Sequence, residues 1–188
     1  MNSIRKAVPE DSEVVVLLMI NAMEELACKF TGTKNPVDAV PIFQYFFRLP
    51  DNQYSYQHTF VYDDGEIAGS ITGYDGALLK KYRETFASYL EHQHYRFKAD
   101  LEAETQVGEF YIDTVSVLPE KQGLGIGKQL IQTICQHAKA LGHTRIALLV
   151  DPKNPDAKRL YEKLGFHTAD LKQLAGKAYE HMIRSLTD

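Results

Sequence analysis

Tryptophan is absent from this chain of 188 residues, and cysteine occurs only twice. Cys28 and Cys135 lie far apart and belong to no Cys-x-x-Cys or Cys/His cluster, which argues against a disulfide framework or a structural zinc site. We expect two buried thiols in a reducing compartment. The seven histidines are scattered, and His92 and His94 cannot share a helix face as ligands. We therefore predict no metal ion.

Long apolar runs and basic runs are missing as well. The longest strictly apolar run, residues 14–20, has seven residues, whereas a membrane-spanning helix needs about twenty. Arg5 and Lys6 are followed by Pro9-Glu-Asp-Ser-Glu13, a pattern unlike a signal peptide. The formal net charge is −4 and no Lys/Arg stripe is visible, which argues against a nucleic-acid partner. We expect a soluble, cytoplasmic protein with no membrane partner.

The length and the hydrophobic fraction of 44% suit one globular domain over residues 1–188. The patterns predict, in chain order, a strand over 3–8, a helix from Pro9 to about Lys29, a helix over 37–49, a hairpin turning at Asp64-Gly65, a polar helix-prone segment over 77–104, a strand over 109–117, a helix over 127–141, a strand over 144–150, a helix over 154–164, and two strands over 166–186 around a connection at 171–178. This order predicts an α/β (α+β) fold, in which a mixed sheet carries helices on both faces.

A glycine-rich turn, Gln122-Gly-Leu-Gly-Ile-Gly127, joins the strand that ends at Val117 to the next helix. Such a turn presents free backbone N–H groups to an anion, and the helix dipole adds partial positive charge. Glycine lets the chain approach a diphosphate closely, and some positions require positive φ. The turn does not match a Walker A loop, because residue 129 is glutamine where that motif has serine or threonine. It does not match the dinucleotide fingerprint GxGxxG in either register, because the last glycine is missing. The turn therefore favours a different phosphate-bearing ligand.

A second segment reads Asn154-Pro-Asp-Ala-Lys-Arg-Leu-Tyr-Glu-Lys-Leu-Gly-Phe166. Asn154 suits a helix N-cap, Pro155 the first helical position and Gly165 the C-terminal cap. A capped structural helix explains much of this pattern. It leaves Tyr161 open, because a phenol with a pKa near 10 can keep its proton at neutral pH and donate it to a departing thiolate.

Together the two segments resemble the acyl-CoA site of the GCN5-related N-acetyltransferases, the GNAT superfamily. The turn matches the pattern Arg/Gln-x-x-Gly-x-Gly/Ala, and the second segment matches Asn-x-x-Ala-x-x-Leu-Tyr-x-Lys-x-Gly-Phe at every fixed position. The resemblance implies the GNAT fold, with a mostly antiparallel central sheet whose splayed strand pair holds acyl-CoA. Glutamine at position 122, where arginine is commoner, should weaken charge pairing with phosphate and keep the turn.

The resemblance also implies roles for individual residues. The strand should contact the pantetheine arm through its backbone, and one N–H should polarise the thioester carbonyl. Asn154 should bind the pantetheine amides, and Tyr161 should act as general acid. Lys128 could add charge at a phosphate or be a solvated surface lysine. The implied cofactor-binding residues are Val115, Ser116, Val117, Gln122, Gly123, Leu124, Gly125, Ile126, Gly127, Lys128, Asn154 and Tyr161.

Two carboxylates, Asp113 and Glu109, are candidates for the general base. The residues from Tyr111 to Val117 alternate as in a strand with one buried face and one site-facing face, and periodicity puts both acids on one face. An amine acceptor with a pKa near 10 must lose a proton before it attacks a thioester. The alternative is a salt bridge or simple solvent exposure. Ser116 shows no identifiable base, and no Gly-x-Ser-x-Gly supports a hydrolase.

We expect an enzyme that moves an acetyl group from acetyl-CoA to a primary amine by direct attack in a ternary complex. The alternatives are a non-catalytic acyl-CoA-binding or interaction module on the same fold, or a nucleotide-binding α/β protein. The sequence leaves the acceptor open among a small polyamine or amino acid, an aminoglycoside, and a protein N-terminus or lysine. Residues 76–106 could form a lid, an acceptor-site helix or a dimer contact, and a homodimer is a reasonable expectation. Tyr74 and the aromatic residues over 43–47 are further candidates for the acceptor side.

Overall fold

The computed structural model describes residues 3–23, 25–93 and 102–187. Its strands are β1 (Ser3–Lys6), β2 (Thr59–Asp63), β3 (Ile67–Asp75), β4 (Phe110–Val117), β5 (Arg145–Val150), β6 (His167–Leu174) and β7 (Lys177–Ser185). Its helices are α1 (Ser12–Met23), α2 (Glu25–Thr31), α3 (Pro36–Arg48), α4 (Leu79–His92), α5 (Ile126–Ala140) and α6 (Pro155–Lys163). The element types follow the predicted order.

The strands of the described residues form one sheet in the order β1-β2-β3-β4-β5-β7-β6. β4 and β5 are parallel, and the other neighbouring pairs are antiparallel. A parallel pair needs a long crossover connection, which the glycine turn and α5 provide. The mixed, mostly antiparallel sheet expected from the sequence is confirmed.

Two hydrophobic clusters cover the two faces of the sheet. One joins α1, α2, α3 and α4 to the sheet, and the other joins α5 and α6 to it. Val61 belongs to the first cluster and its neighbour Tyr62 to the second, as the alternation of side chains along a strand requires. Helices therefore pack on both faces, as predicted.

The predicted helix from Pro9 to about Lys29 is only partly confirmed. It begins with a single 3-10 turn at Pro9–Asp11, and α1 follows up to Met23. Residues 25–31 form α2, and residue 24 lies outside the described residues. Both cysteines are free thiols, but Cys28 is only half-buried, whereas Cys135 is buried.

The predicted connection at residues 171–178 is wrong. Leu171 to Leu174 belong to β6, and β7 begins at Lys177, so only Ala175 and Gly176 turn the chain. Both turn residues have positive φ, 51° and 80°, as a tight two-residue hairpin turn requires. The sequence hides this turn because alanine rarely adopts positive φ. The exposed β6 also lacks an alternating apolar pattern.

The polar segment predicted over 77–104 contains α4, but residues 94–101, which include His94, Tyr95 and Phe97, lie outside the described residues. Phe43, Phe46 and Phe47, which the sequence made candidates for the acceptor side, are buried in the core between α3 and its neighbours and do not line the cavity described below. Within the described ranges, no helix is both long and apolar enough to cross a membrane. No group of His, Cys, Asp and Glu there is arranged to hold a metal ion.

Candidate functional site

The site is an opening between the two parallel strands. β4 and β5 pair from Phe110 opposite Ile146 to Ile112 opposite Leu148, and the pairing stops there although both strands continue. On its other side β4 stays paired with β3 as far as Val117. The two strands therefore splay apart beyond Ile112, and a cavity of about 610 Å³ fills the gap. The expected splayed pair is confirmed.

A β-bulge at Asp113 changes which side chains of β4 face each layer. Thr72 of β3 lies opposite Thr114, and the next residue, Gly73, lies opposite Ile112, so Asp113 has no partner on β3. Ile112 packs in the α5–α6 layer before the bulge, and Val115 packs against the same layer after it. An uninterrupted alternation from Tyr111 to Val117 is therefore wrong, because the extra residue shifts the alternation by one position.

Asp113 is half-buried and lines the cavity. Its Oδ2 accepts a hydrogen bond of 2.9 Å from the Tyr74 hydroxyl. Burial and the nearby Glu104 charge raise the pKa of Asp113 to about 8, against the opposing effects of Tyr74 and Arg83. Burial and the Asp113 charge also raise the pKa of Tyr74 well above its ordinary value, so Tyr74 stays protonated and donates.

Glu109, the other predicted base candidate, lies in a different environment. It directly precedes β4, is fully buried, and is not among the residues that line the cavity. His181 Nε2 lies 3.3 Å from its Oε2, and Gln106 and Thr105 donate to the same carboxylate. Burial alone would raise the pKa of Glu109, but these hydrogen bonds and the His181 charge lower it below its ordinary value. The structure therefore separates the two carboxylates that the sequence grouped together.

The glycine turn has the geometry that an anion site needs. Gly123 and Gly125 have φ of 78° and 81°, a region that favours glycine, and no atom outside the turn lies within 4 Å of a Cβ built at either position. Gly125 caps α5, and the helical bonds begin with Gln129 N–H to Gly125 O. The N–H groups of residues 126–128 consequently have no partner within the helix and point out of its first turn.

The side chains of the turn differ in their exposure to solvent. Leu124 and Lys128 are exposed, whereas Ile126 is buried in the core beneath α5. Gln122 lines the cavity, and its Nε2 donates to Val117 O at 3.2 Å, which ties the turn to the end of β4. Gly127 has room for a side chain, because a Cβ there would lie in van der Waals contact with Leu160 at 3.6 Å and Val117 at 3.8 Å. Phosphate contacts at this turn would come mainly from backbone N–H groups.

α6 brings Asn154 and Tyr161 to the same cavity. Asn154 Oδ1 accepts a hydrogen bond of 3.1 Å from Ala157 N–H, which confirms it as the N-cap. Tyr161 is 7% exposed, and burial raises its pKa to about 12. Tyr161 therefore keeps a proton that it can donate across the whole physiological pH range.

Around Lys177, which lines the cavity, the structure connects segments that the sequence did not. Lys177 Nζ at the start of β7 lies 2.9 Å from Glu25 of α2. Lys29 Nζ donates to Ala175 O in the β6–β7 turn at 2.8 Å, and the Ala175 N–H donates to Glu102 at 3.1 Å. These bonds join α2, the β6–β7 turn and the end of the 76–106 segment.

Sequence reasoning missed Glu104 as a site residue. Glu104 is 3% exposed, lines the cavity, and pairs with Arg83 of α4 at 2.9 Å. An acid within a polar, helix-prone stretch gives no sign of burial. Tyr74 was predicted only as a general acceptor-side candidate, and its bond to Asp113 depends on pairing between β3 and β4.

Comparison with known proteins identifies one family. The model of the acetyltransferase (GNAT) family matches residues 20–166. The mycothiol acetyltransferase of Streptosporangium roseum is 43% identical over 65 residues, which cover 35% of this chain and 19% of that protein. The match therefore spans about a fifth of that relative's length.

Solved structures match over nearly the whole chain. A crystal structure of an acetyltransferase is 28% identical, with a TM-score of 0.79, and the match covers 98% of this chain and 99% of that one. The N-acetyltransferase of Staphylococcus aureus Mu50 is 24% identical, with a TM-score of 0.76 and coverage of 96% and 99%. The NatC complex, solved with Gag peptide and CoA, contains a chain with a TM-score of 0.62 at 15% identity and 99% coverage of both chains. The last two likenesses show the fold.

Proposed function

This chain belongs to the GNAT family of acetyltransferases, whose cosubstrate is acetyl-CoA, and we propose that it transfers the acetyl group to a primary amine by direct attack in a ternary complex. One observation carries the proposal. The cavity that opens where β4 and β5 part contains a carboxylate, Asp113, and a protonated phenol, Tyr161, beside a glycine turn suited to phosphates. A base and an acid are the two groups that amine acetylation requires.

Asp113 is the base in this proposal. A primary ammonium has a pKa near 10, so transfer of its proton to a carboxylate with a pKa of about 8 is uphill by about 2 units, or about 3 kcal/mol. An ordinary aspartate with a pKa near 4 would face about 6 units, or about 8 kcal/mol. The raised pKa of Asp113 therefore makes deprotonation of the acceptor practicable at neutral pH.

The β4 backbone supplies electrostatic stabilisation. Beyond Ile112 the edge of β4 that faces β5 has no strand partner, so its N–H groups are available to a ligand. An N–H aimed at the thioester carbonyl would stabilise negative charge as the amine attacks. Val115 and Val117 line this edge, and their compact side chains leave the backbone accessible.

Tyr161 is the acid in this proposal. The C–N bond forms as the C–S bond breaks, and the electron pair of that bond leaves with sulfur. Tyr161 donates its proton to the sulfur as negative charge develops there, and its pKa of about 12 means that it still holds that proton when the step begins. The nitrogen loses its second proton as the amide forms, an equivalent proton returns through solvent to the Tyr161 phenolate, and the proton taken by Asp113 is released to solvent before the next turnover.

The test is calorimetric titration with acetyl-CoA, followed by a screen for CoA release with primary amines, alcohols and thiols. Micromolar binding that is lost in Gly125→Asp, together with turnover of amines alone, would support the proposal. Binding without turnover of any acceptor would favour the non-catalytic acyl-CoA-binding module. Turnover of alcohols or thiols in preference to amines would contradict the assignment of the acceptor.

A further inference from the structure

The 76–106 segment contributes a second carboxylate to the cavity. Glu104 is nearly inaccessible to solvent and lies in the same cavity wall as Asp113. Its Oε1 accepts from Arg83 at 2.9 Å, and its Oε2 accepts from the Tyr111 hydroxyl at 3.1 Å. Two hydrogen bonds, one of them from a guanidinium, hold the Glu104 carboxylate in one orientation.

Glu104 and Asp113 are linked by a pair of tyrosines on adjacent strands. Tyr111 and Tyr74 lie opposite each other on β4 and β3, and their rings pack edge to face with centroids 5.9 Å apart. Tyr111 holds Glu104, and Tyr74 holds Asp113. The bulge at Asp113 leaves this carboxylate without a strand partner opposite it, so its side chain can meet Tyr74 while it faces the cavity.

A buried ion pair is a poor source of stability, because its desolvation cost is close to its Coulombic gain. The Arg83–Glu104 pair is therefore hard to explain as a fold-stabilising contact alone. Its place in the cavity wall suggests a different effect. A fixed negative charge near a second carboxylate disfavours ionisation of that carboxylate and so makes it a stronger base.

We propose that Glu104 is a positioning residue for acetyl transfer, which holds a fixed negative charge beside Asp113 so that Asp113 can take a proton from the acceptor near neutral pH. The inference rests on the proposed function. It gives the 76–106 segment a part in catalysis through two residues, Arg83 on α4 and Glu104 shortly before β4. Glu104 itself need not touch the acceptor.

Several other titratable groups act on Asp113. Arg83 opposes Glu104, and the Tyr74 hydrogen bond also favours the ionised carboxylate. The charge of Asp113 in turn raises the pKa of Tyr54 and Tyr111, which burial already raises. All three tyrosines stay neutral at physiological pH, so the balance at Asp113 is decided by Glu104 and burial against Arg83 and Tyr74.

The test is a carbon-13 NMR titration of aspartate carboxyl groups, with the Asp113 signal assigned by its loss in Asp113→Asn. We expect a midpoint near 8 in the unmodified protein. Glu104→Gln keeps the shape and the hydrogen-bond acceptor and removes the charge, so the midpoint should fall by about one unit, a size typical of a neighbouring charge. Tyr74→Phe removes a bond to the carboxylate and should move the midpoint in the opposite direction.

Glu104→Asp retains the charge and should restore most of the shift, which a purely structural role would not predict. The kcat/KM profile should be measured against pH with the best primary amine of the screen, n-butylamine being tried first. In each variant its midpoint should move in the same direction as the NMR midpoint. A folded Glu104→Gln protein whose midpoint equals that of the unmodified protein would overturn the inference alone. If the unmodified protein acetylates no primary amine, the proposed function fails and the inference fails with it.

Discussion

The two ends of the cavity are built in different ways. At the end proposed to bind the cofactor, the groups come from short continuous segments: the backbone N–H groups of a six-residue turn, and the side chains of the N-cap Asn154 and of Tyr161 on the nine-residue helix α6. The end proposed to bind the acceptor is built from segments up to about 150 residues apart, which supply Asp113, Glu104, Tyr74, Lys177 and α2. The first end is defined by local backbone conformation, and the second is defined by tertiary packing.

This difference explains why the end with the glycine turn could be predicted from the sequence and the other end could not. A phosphate site made of glycines at positive φ and a capped helix leaves a pattern of residue types at fixed spacing. A buried carboxylate cluster leaves no such pattern, because any acid on any element can become buried once the elements pack. The predictions below compare the two ends, from the largest expected effect to the smallest.

The strongest comparison is between the two predicted bases. Asp113→Asn should lower kcat by about 1000-fold, within the range typical for loss of a general base, and should abolish the rise of kcat/KM with pH through about 8. Glu109→Gln should leave kcat within about threefold, because Glu109 does not line the cavity. Steady-state kinetics from pH 6 to 9.5 would measure both. Equal losses in the two variants would contradict the separation of roles.

Glu109→Gln should instead lower stability, by about 1–3 kcal/mol, because it weakens a buried hydrogen-bonded carboxylate. The pKa of Glu109 is lowered in the folded protein, so its contribution is present above the unfolded-state value of about 4.3 and is lost as pH falls through the folded value. Urea denaturation at pH 7 and pH 4 would show the gap between variant and unmodified protein narrowing at the lower pH.

At the cofactor end, Gly125→Asp should weaken acetyl-CoA binding by about 100-fold or more. Gly125→Asn is the matched control, because asparagine and aspartate tolerate positive φ to similar degrees and differ in charge. We expect about a tenfold loss in the Asn variant, and the remaining loss in the Asp variant from repulsion of phosphate. Calorimetry would measure both dissociation constants. Identical values would mean that no phosphate binds at this turn.

Tyr161→Phe should lower kcat by about tenfold and leave acetyl-CoA binding nearly unchanged. The effect is smaller than that of Asp113→Asn because a thiolate with a pKa near 8.5 is a fair leaving group without assistance. Tyr62→Phe is the control, since Tyr62 is buried in the same cluster but does not line the cavity. Single-turnover rates at several pH values would test this, and an unchanged chemical step would remove Tyr161 from the mechanism.

The smallest effect is expected at Gly127. Gly127→Ala adds a Cβ at ordinary contact distance from Leu160 and Val117, and its φ is not positive. We expect acetyl-CoA binding within about threefold of the unmodified protein and a slight gain in thermal stability, because alanine favours the helix over glycine. A large loss of binding, measured by calorimetry, would show that the ligand also contacts the protein backbone in the first turn of α5.

The sequence alone determined the order of elements, the family resemblance, the glycine turn and the capped helix with Tyr161. These features depend on backbone φ preferences, caps and hydrophobic periodicity, which act over a few residues. The sequence missed the β6–β7 turn, because Ala175 adopts a positive φ that alanine usually avoids.

Only the tertiary structure decided which carboxylate faces the cavity. Asp113 and Glu109 are equivalent in periodicity, but a one-residue bulge frees the first and the packing of β7 encloses the second with His181. The burial of Glu104 and the meeting of α2 with the β6–β7 turn depend likewise on contacts between distant segments. Such contacts shift a pKa through charge and desolvation, and neither is defined until the chain has folded.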